Sequence, residues 1–208
     1  MIRTLAGPLA IAAAVTLTVA ARSEPPSQST AVFAGGCFWG IEGVFEHVKG
    51  VTSATAGYAG GSVPSPSYDQ VSSGATGHAE SVRVTYDPSQ ITYHQLLEVF
   101  FTVAHDPTQL NRQGPDHGTQ YRSVVFYSDT AQRRVVEAYV ADLASRNVFA
   151  KPVVTQIVPL GAFYEAEAYH QHYMARHPKA LYIVYNDAPK VANLRREFPA
   201  LYRERASD

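Results

Sequence analysis

The only cysteine of the chain, Cys37, is the first candidate for chemistry. It lies in the string GGCFWG (residues 35–40), between a predicted strand and a predicted helix. A thiol at a helix N-terminus faces unpaired N–H groups and the positive end of the helix dipole, so we expect a lowered pKa and a nucleophilic thiolate. The preceding glycines permit a sharp turn. A buried structural cysteine is the alternative, and Phe38 and Trp39 are equally compatible with core packing.

Glu80 is the second candidate, in the string GHAE (residues 77–80) that opens a predicted strand. A carboxyl that is partly buried where a loop enters a strand has a raised pKa, and it can then donate a proton near neutral pH. An exposed glutamate at a strand edge is the structural alternative. His78 is a possible base, or a residue that only makes local hydrogen bonds.

A polar stretch at residues 112–122 (RQGPDHGTQYR) is the third candidate, because it holds an acid, an imidazole, a phenol and two guanidinium groups. Loops that lead into rigid strands often carry function. Asp116 in this stretch is also compatible with a purely structural role in a turn.

Metal and nucleotide sites have little support in the sequence. One cysteine cannot form an intramolecular disulfide, a cysteine zinc cluster or a CxxC pair. Among the histidines, only His170 and His172 have a spacing that suits a shared ligand, and there is no HExxH, GxGxxG or P-loop string;. We therefore expect no metal and no bound cofactor.

Strands and helices alternate along the chain. Apolar runs and period-two patterns predict strands at 31–34, 51–58, 81–86, 123–127 and 153–159;. Helical periodicity and capping residues predict helices at 38–48, 92–103, 130–146 and 165–177. Loops are expected at 60–77 and 105–120, with a Pro- and charge-rich tail after residue 177. This alternation indicates one sheet with helices packed on it, in an α/β or α+β domain.

Residues 1–21 are typical of a secretory signal peptide. Arg3 gives a cationic start, no charge follows until Arg22, and small residues precede Arg22;. A retained membrane anchor is the alternative, because roughly 17 to 25 apolar residues can span a bilayer. We expect a cleaved signal, a flexible lead-in at 22–30, one domain at 31–208, and export to the periplasm or the cell exterior without stable membrane insertion.

Composition favours a single globular domain. The chain has 208 residues, of which 46% are hydrophobic and 17% charged, so disorder and fibrous structure are disfavoured;. Seventeen Lys and Arg residues against 18 Asp and Glu leave a net charge of −1. Without an excess of basic residues we expect no nucleic-acid partner.

Five strings in order resemble the A-type peptide-methionine (S)-S-oxide reductases. They are GCFWG (36–40), GYAGG (57–61), PSY (66–68), TGHAE (76–80) and RQGPDHGTQYRS (112–123). The resemblance covers residues 32–177. It implies a single catalytic domain with an α+β fold: a two-layer α/β sandwich, with helices packed on a mixed sheet and a ferredoxin-like core.

The resemblance also implies a role for each matching residue. It makes Cys37 the nucleophile and Glu80 the acid that protonates the sulfoxide oxygen. It further implies that Tyr68 and Tyr121 are the phenols that hydrogen-bond this oxygen, and that Asp116 is a supporting carboxylate. Phe38 and Trp39 would form the aromatic walls that hold the substrate methyl group. Family members usually carry resolving cysteines toward the C-terminus, and this chain has none.

The chemistry of sulfoxide reduction needs the residue types found here. A sulfoxide sulfur is attacked by a thiolate only when its oxygen is protonated or strongly hydrogen-bonded. Attack would leave Cys37 as a sulfenic acid, which an external thiol such as thioredoxin or a small thiol must reduce. The expected partners are oxidised proteins or peptides containing methionine sulfoxide and a thioredoxin-like reductant, and the expected state is a monomer.

Two rival functions remain open from the residues alone. One is a cysteine acyl-transferase or peptidase, in which His78 or His117 would activate Cys37. The other is a binding module with an aromatic surface, formed by Tyr58, Tyr68, Trp39 and Phe38.

Overall fold

The computed structural model describes Met1 and residues 28–205. The signal-peptide prediction therefore falls, apart from Met1, outside the described residues, as does most of the predicted lead-in. Among the residues that are described, no helix is both long enough and apolar enough to cross a bilayer.

The described strands are β1 (Ser29–Ala34), β2 (Val51–Ala59), β3 (Ala79–Tyr86), β4 (Arg112–Gln113), β5 (Asp116–His117), β6 (Val124–Tyr127), β7 (Gln156–Pro159) and β8 (Phe163–Glu165). The α-helices are α1 (Phe38–Glu46), α2 (Tyr68–Ser72), α3 (Tyr93–Val99), α4 (Thr130–Ser145), α5 (Tyr173–Arg176) and α6 (Ala188–Glu197). A π-helical turn extends α3 over Phe100–Ala104, another precedes α6 at Ile183–Asp187, and a 3₁₀ turn covers Thr119–Tyr121.

Six strands form one mixed sheet in the order β7-β6-β1-β3-β2-β8. The pair β6 and β7 is parallel, and the other neighbours are antiparallel. The segment β1-α1-β2-β3-α3-β6 has the βαββαβ connectivity of ferredoxin-like folds, with its strands in the order β6-β1-β3-β2;. The expected α+β sandwich is therefore confirmed, and β4 and β5 form a separate hairpin.

Alternate residues along each strand point to opposite faces of the sheet. Phe33 and Val82 belong to the main core, which the helix residue Ile41 also joins, whereas Val32 and Phe126 belong to a smaller cluster on the other face. This alternation decides where the carboxyl at the start of β3 points. Because Glu80 lies two residues before Val82, it shares the helix-covered face.

The predicted helix over residues 165–177 is wrong. The start of this segment is β8, which pairs antiparallel with the end of β2, and only Tyr173–Arg176 is helical. The stretch between β8 and α5 contains a turn at residues 168–172, and long-range hydrogen bonds tie it to β2. Ala166 N–H donates to Ala56 O at 2.9 Å, and the Gln171 side chain bonds both the N–H and the C=O of Ala56 at 3.0 Å. These bonds satisfy backbone groups of β2 and outweigh the local helical pattern.

Four other segments differ from expectation. The predicted loop at 105–120 contains the hairpin of β4 and β5. The predicted loop at 60–77 contains α2, which starts with a capping box between Ser67 and Gln70. The predicted strand at 153–159 is shorter, beginning at Gln156. The predicted tail contains α6. Pro189 lies in its first turn, directly after the π-helical turn at Ile183–Asp187.

Candidate active site

A tight turn carries Cys37 from β1 into α1. Gly36 has φ +102°, in the region that favours glycine, and a Cβ at this position would lie 2.6 Å from the Gln113 side chain;. The loop that carries Gln113 therefore packs directly on the turn. Cys37 is the N-cap of α1 and is 8% exposed.

The expected lowering of the Cys37 pKa is wrong. Burial raises the pKa of the thiol well above its usual value, and the nearby carboxyls of Glu80 and Asp187 raise it further;. The backbone N–H of Trp39 and the ammonium of Lys190 lower it without offsetting the burial. Cys37 is therefore a neutral thiol at neutral pH.

Glu80 lies against the start of the same helix. It is 1% exposed, and its Oε2 accepts the backbone N–H of Phe38, the residue after Cys37, at 3.1 Å. Burial raises the pKa of Glu80 to about 8 in spite of this hydrogen bond, and the charges of Asp116 and Asp187 act in the same direction. Glu80 therefore carries a proton at neutral pH. The structural alternative of an exposed edge glutamate is wrong.

Two phenols lie close enough to this carboxyl to interact with its charge. Burial raises the pKa of Tyr68 and of Tyr121, and in each case the charge of Glu80 is the next cause. Both hydroxyls therefore keep their protons and are hydrogen-bond donors. The Tyr68 backbone is held where α2 begins, because its N–H donates to Glu167 Oε1 at 2.8 Å. Tyr121 ends the 3₁₀ turn before β6.

Asp116 lies on the hairpin strand β5 and accepts a hydrogen bond from the hydroxyl of Tyr182. Its negative charge contributes to the raised pKa values of Glu80 and Tyr121. The third polar stretch of the sequence is thus placed next to the other two. The hydrogen bond also ties the hairpin to the C-terminal part of the chain.

Aromatic rings hold Phe38 and Trp39 in fixed orientations. Trp39 stacks on Tyr173 with 3.7 Å between ring centroids, and its Nε1–H donates to His170 Nδ1 at 3.1 Å. Phe38 is buried, and the centroid of its ring lies 5.0 Å from that of His170 and 6.5 Å from that of Tyr68. The site is therefore an aromatic wall beside one thiol and one protonated carboxyl.

The two histidines of the peptidase alternative are poorly suited to activate Cys37. His78 uses both ring nitrogens, since Nδ1 accepts Gly61 N–H at 3.1 Å and Nε2 donates to Val63 O at 2.8 Å. This tautomer leaves no lone pair for a thiol proton. His117 is exposed on β5. The imidazole–thiol pairing that the alternative requires has no support.

The C-terminal segment supplies groups that the sequence pattern did not indicate. Asp187 is fully buried, its Oδ1 accepts from Lys190 Nζ at 3.1 Å, and it packs against Gly40, where a Cβ would lie 2.1 Å from this oxygen. Tyr182 and His170 belong to the same segment. The one available signal was aromatic density, because residues 163–185 contain six Phe or Tyr residues.

Comparison with known proteins identifies the family of this chain. A family model described as peptide methionine sulfoxide reductase matches residues 29–201. The chain belongs to this family. Enzymes of the family are oxidoreductases that reduce methionine sulfoxide in proteins, so the resemblance of the five strings is confirmed.

Individual members of the family are similar in sequence to this chain over most of their length. The chain is 54% identical to peptide methionine sulfoxide reductase MsrA 2 of Mesorhizobium japonicum over 180 residues, which are 86% of this chain and 92% of the relative. It is 50% identical to MsrA of Natronomonas pharaonis over 82% of this chain and 95% of the relative.

Solved structures of methionine sulfoxide reductases have a fold similar to that of this chain. Reduced Mxr1 of Saccharomyces cerevisiae superposes with a TM-score of 0.68 at 34% identity, covering 76% of this chain and 91% of that chain. Methionine sulfoxide reductase A of Corynebacterium diphtheriae gives a TM-score of 0.65 at 38% identity, covering 75% of this chain and 78% of that chain. The mixed sheet with helices packed on it is thus the fold of the family.

Proposed function

We propose that the protein reduces methionine (S)-sulfoxide in oxidised proteins and peptides, and that Cys37 and Glu80 act together on the sulfoxide group. One observation carries this proposal. The protonated, buried carboxyl of Glu80 is anchored to the N–H of the residue that follows the only thiol. A nucleophile and a proton donor are thereby held side by side at the start of one helix.

The protonation states of Cys37 and Glu80 suit this reaction. At neutral pH both Cys37 and Glu80 are uncharged, so no charge is buried before substrate arrives;. Glu80 gives its proton to the sulfoxide oxygen as the Cys37 sulfur attacks the substrate sulfur, and the thiol proton returns to the Glu80 carboxylate. This attack forms an S–S bond between substrate and Cys37. The hydroxyl group then passes from the substrate sulfur to the Cys37 sulfur as the S–S bond breaks, and the products are methionine and a Cys37 sulfenic acid.

The hydroxyls of Tyr68 and Tyr121 support the same step. A sulfoxide oxygen becomes more negative before it is protonated, and two neutral phenols can donate hydrogen bonds to it. Asp116 holds Tyr182 beside them and keeps the Glu80 proton in place through its charge. Glu80 then transfers its proton to an oxygen that is already oriented.

Phe38 and Trp39 give the site its selectivity. A methyl group that packs against these rings fixes which face of the sulfoxide sulfur is presented to Cys37, so only one epimer can place its oxygen at Glu80. The two sulfoxide epimers require separate enzymes. The hydrogen bond to His170 and the stacking on Tyr173 keep Trp39 rigid enough for this discrimination.

Recycling must use a thiol from another molecule, since Cys37 is the only cysteine of the chain. A first external thiol attacks the sulfenic acid and releases water, which leaves a mixed disulfide. A second thiol releases Cys37 and leaves with the first as a disulfide. A thioredoxin-like dithiol or two small thiol molecules fit this sequence, and no bound cofactor is needed.

Export of the protein is part of the proposal, because residues 1–21 have the composition of a signal peptide;. Mass analysis of the protein recovered from the periplasm or the medium tests this point. A mature N-terminus near residue 22 is expected, and recovery of the intact chain from the membrane would contradict it.

The direct test of the activity is a steady-state assay with separated (S)- and (R)-sulfoxide peptides and a thiol donor. We expect turnover of the (S) epimer and none of the (R) epimer. Cys37→Ser should be folded and inactive, because a hydroxyl is a far weaker nucleophile. Equal turnover of both epimers, or reduction by Cys37→Ser at a tenth of the parent rate, would contradict the proposal.

A further inference from the structure

Two carboxyls and an imidazole meet at a place that the proposed reaction does not use. Glu42 and Glu46 lie one turn apart on α1, and His172 precedes α5. One potential ligand atom from each residue lies within 4.8 Å of the other two. Residues four apart on a helix share a face, so both acids point to the same side of α1.

Each carboxylate keeps one oxygen occupied and directs the other to the centre of the cluster. Glu42 Oε2 accepts the backbone N–H of His172 at 2.9 Å, and Glu46 Oε2 bonds Arg205 Nη1 at 3.1 Å. Glu46 Oε1 contacts His172 Nδ1, which lies 3.9 Å from Glu42 Oε1. Such outer contacts are the kind that orient metal-binding carboxylates.

Glu42 Oε1 is the observation that points to a ligand. Glu42 is 1% exposed, and within the described part of the chain this oxygen has no hydrogen-bond partner. Buried polar atoms are nearly always satisfied, so an exception in a cluster of ligand types needs an explanation. Protonation of the carboxyl does not remove the problem, because a hydroxyl at Oε1 would need an acceptor. A cation among the three side chains would satisfy it.

The cluster is open to ions from solvent. Glu46 and His172 line a cleft of about 590 Å³ between α1, α5 and α6, and the His172 side chain is 41% exposed. An ion from solvent can therefore approach Glu46 and His172 through this cleft. An entry path is one of the requirements for a metal site.

We propose that Glu42, Glu46 and His172 bind one Zn²⁺ ion. Two carboxylate oxygens and one imidazole nitrogen form a donor set that zinc accepts, with water as a fourth ligand. The ion would fasten α1, which carries Cys37 at its start, to the segment that contains His170. Motif spacing does not predict this site, because Glu46 and His172 are 126 positions apart.

Calorimetric titration with Zn²⁺ tests the proposal on the full chain after treatment with a chelator. A Cys37→Ser background removes the only thiol, so that zinc bound to sulfur cannot be mistaken for this site. We expect one ion per chain. Glu46→Gln and His172→Gln should each weaken binding at least tenfold. The matched control is His94→Gln, which alters an exposed histidine 3.8 Å from Glu98 on another helix and should leave binding unchanged.

A second readout separates ligation from folding. Co²⁺ bound to a nitrogen and oxygen site absorbs visible light according to its geometry, and this absorption should appear in the parent and disappear in His172→Gln. Thermal melting should show that the His172→Gln protein is folded and that Zn²⁺ raises only the parent melting temperature. Absence of stoichiometric binding, or equal binding by the parent and His172→Gln, would overturn the proposal.

Discussion

Glu80 Oε2 accepts the backbone N–H of Phe38 at 3.1 Å, so the first turn of α1 both carries the thiol and donates a hydrogen bond to the carboxyl. Helix N-termini expose unpaired N–H groups that bind negative charge. Here one of them fixes the position of the proposed proton donor relative to Cys37. The same arrangement buries Glu80, and burial is the main reason that its pKa is raised to about 8.

Replacement of Glu80 by glutamine should lower the turnover rate by roughly two to four orders of magnitude, the usual contribution of a positioned acid. The amide keeps the shape but cannot transfer a proton. In the parent, the rate should fall as the pH rises through about 8, because Glu80 then loses its proton. Glu165→Gln, an exposed change on β8, should retain the parent rate. An unaltered pH–rate profile in Glu80→Gln would rule out Glu80 as the donor.

Glu80→Gln should also change how stability depends on pH. The pKa of Glu80 in the folded protein, about 8, lies above the ordinary value of 4.5, so between these pH values the folded state binds more protons;. The free energy of unfolding of the parent should therefore decrease as the pH rises from about 4.5 to 8.

The glutamine variant lacks this contribution and should gain stability relative to the parent as the pH rises. The gain can reach several kcal/mol, since each tenfold change in proton affinity is about 1.4 kcal/mol. Urea denaturation of both proteins at pH 5 and pH 9 measures the difference. A constant difference between the two proteins would mean that the Glu80 carboxyl is not buried as described.

Tyr182→Phe should loosen the contact between the C-terminal segment and the hairpin. The change removes the hydroxyl that donates to Asp116 but keeps the ring that lies edge-on to Trp39, with 5.9 Å between centroids. We expect a loss of about 1 to 3 kcal/mol of stability, typical of a hydrogen bond to a carboxylate, together with a lower kcat/KM.

Tyr185→Phe is the matched control for this variant, because Tyr185 lies only three residues further on, in the π-helical turn that follows Tyr182, and is 73% exposed. It should resemble the parent in thermal melting and in kinetics. Equal effects of the two substitutions would show that the hydrogen bond to Asp116 contributes nothing particular.

Local patterns predicted the elements that position Cys37 and Glu80, the proposed reactive pair. Alternation over residues 81–86 predicts β3, and the glycines before Cys37 predict the turn into α1, because both signals depend on neighbouring residues. The segment 165–177 could not be predicted in this way. Its conformation depends on the hydrogen bonds between Gln171 and Ala56, residues 115 positions apart.

The electrostatics of the site were predictable only in part. Burial of Glu80 follows from a loop entering a strand, and its raised pKa follows from burial. The pKa of Cys37 depends on Asp187 and Lys190 as well as on burial, and these residues come from a segment whose fold the sequence pattern did not indicate. Placement at a helix N-terminus was therefore too little information to give the direction of its pKa shift.

The stoichiometry of a single turnover tests the central claim most directly. Fully reduced protein, mixed with excess methionine sulfoxide and no reductant, should release one methionine per chain and stop. Its mass should then be about 16 Da higher, from one oxygen on Cys37, and a sulfenic-acid probe should label it. Added thiol should restore turnover. Release of two methionines per chain without added thiol, and without an intermolecular disulfide, would contradict the account.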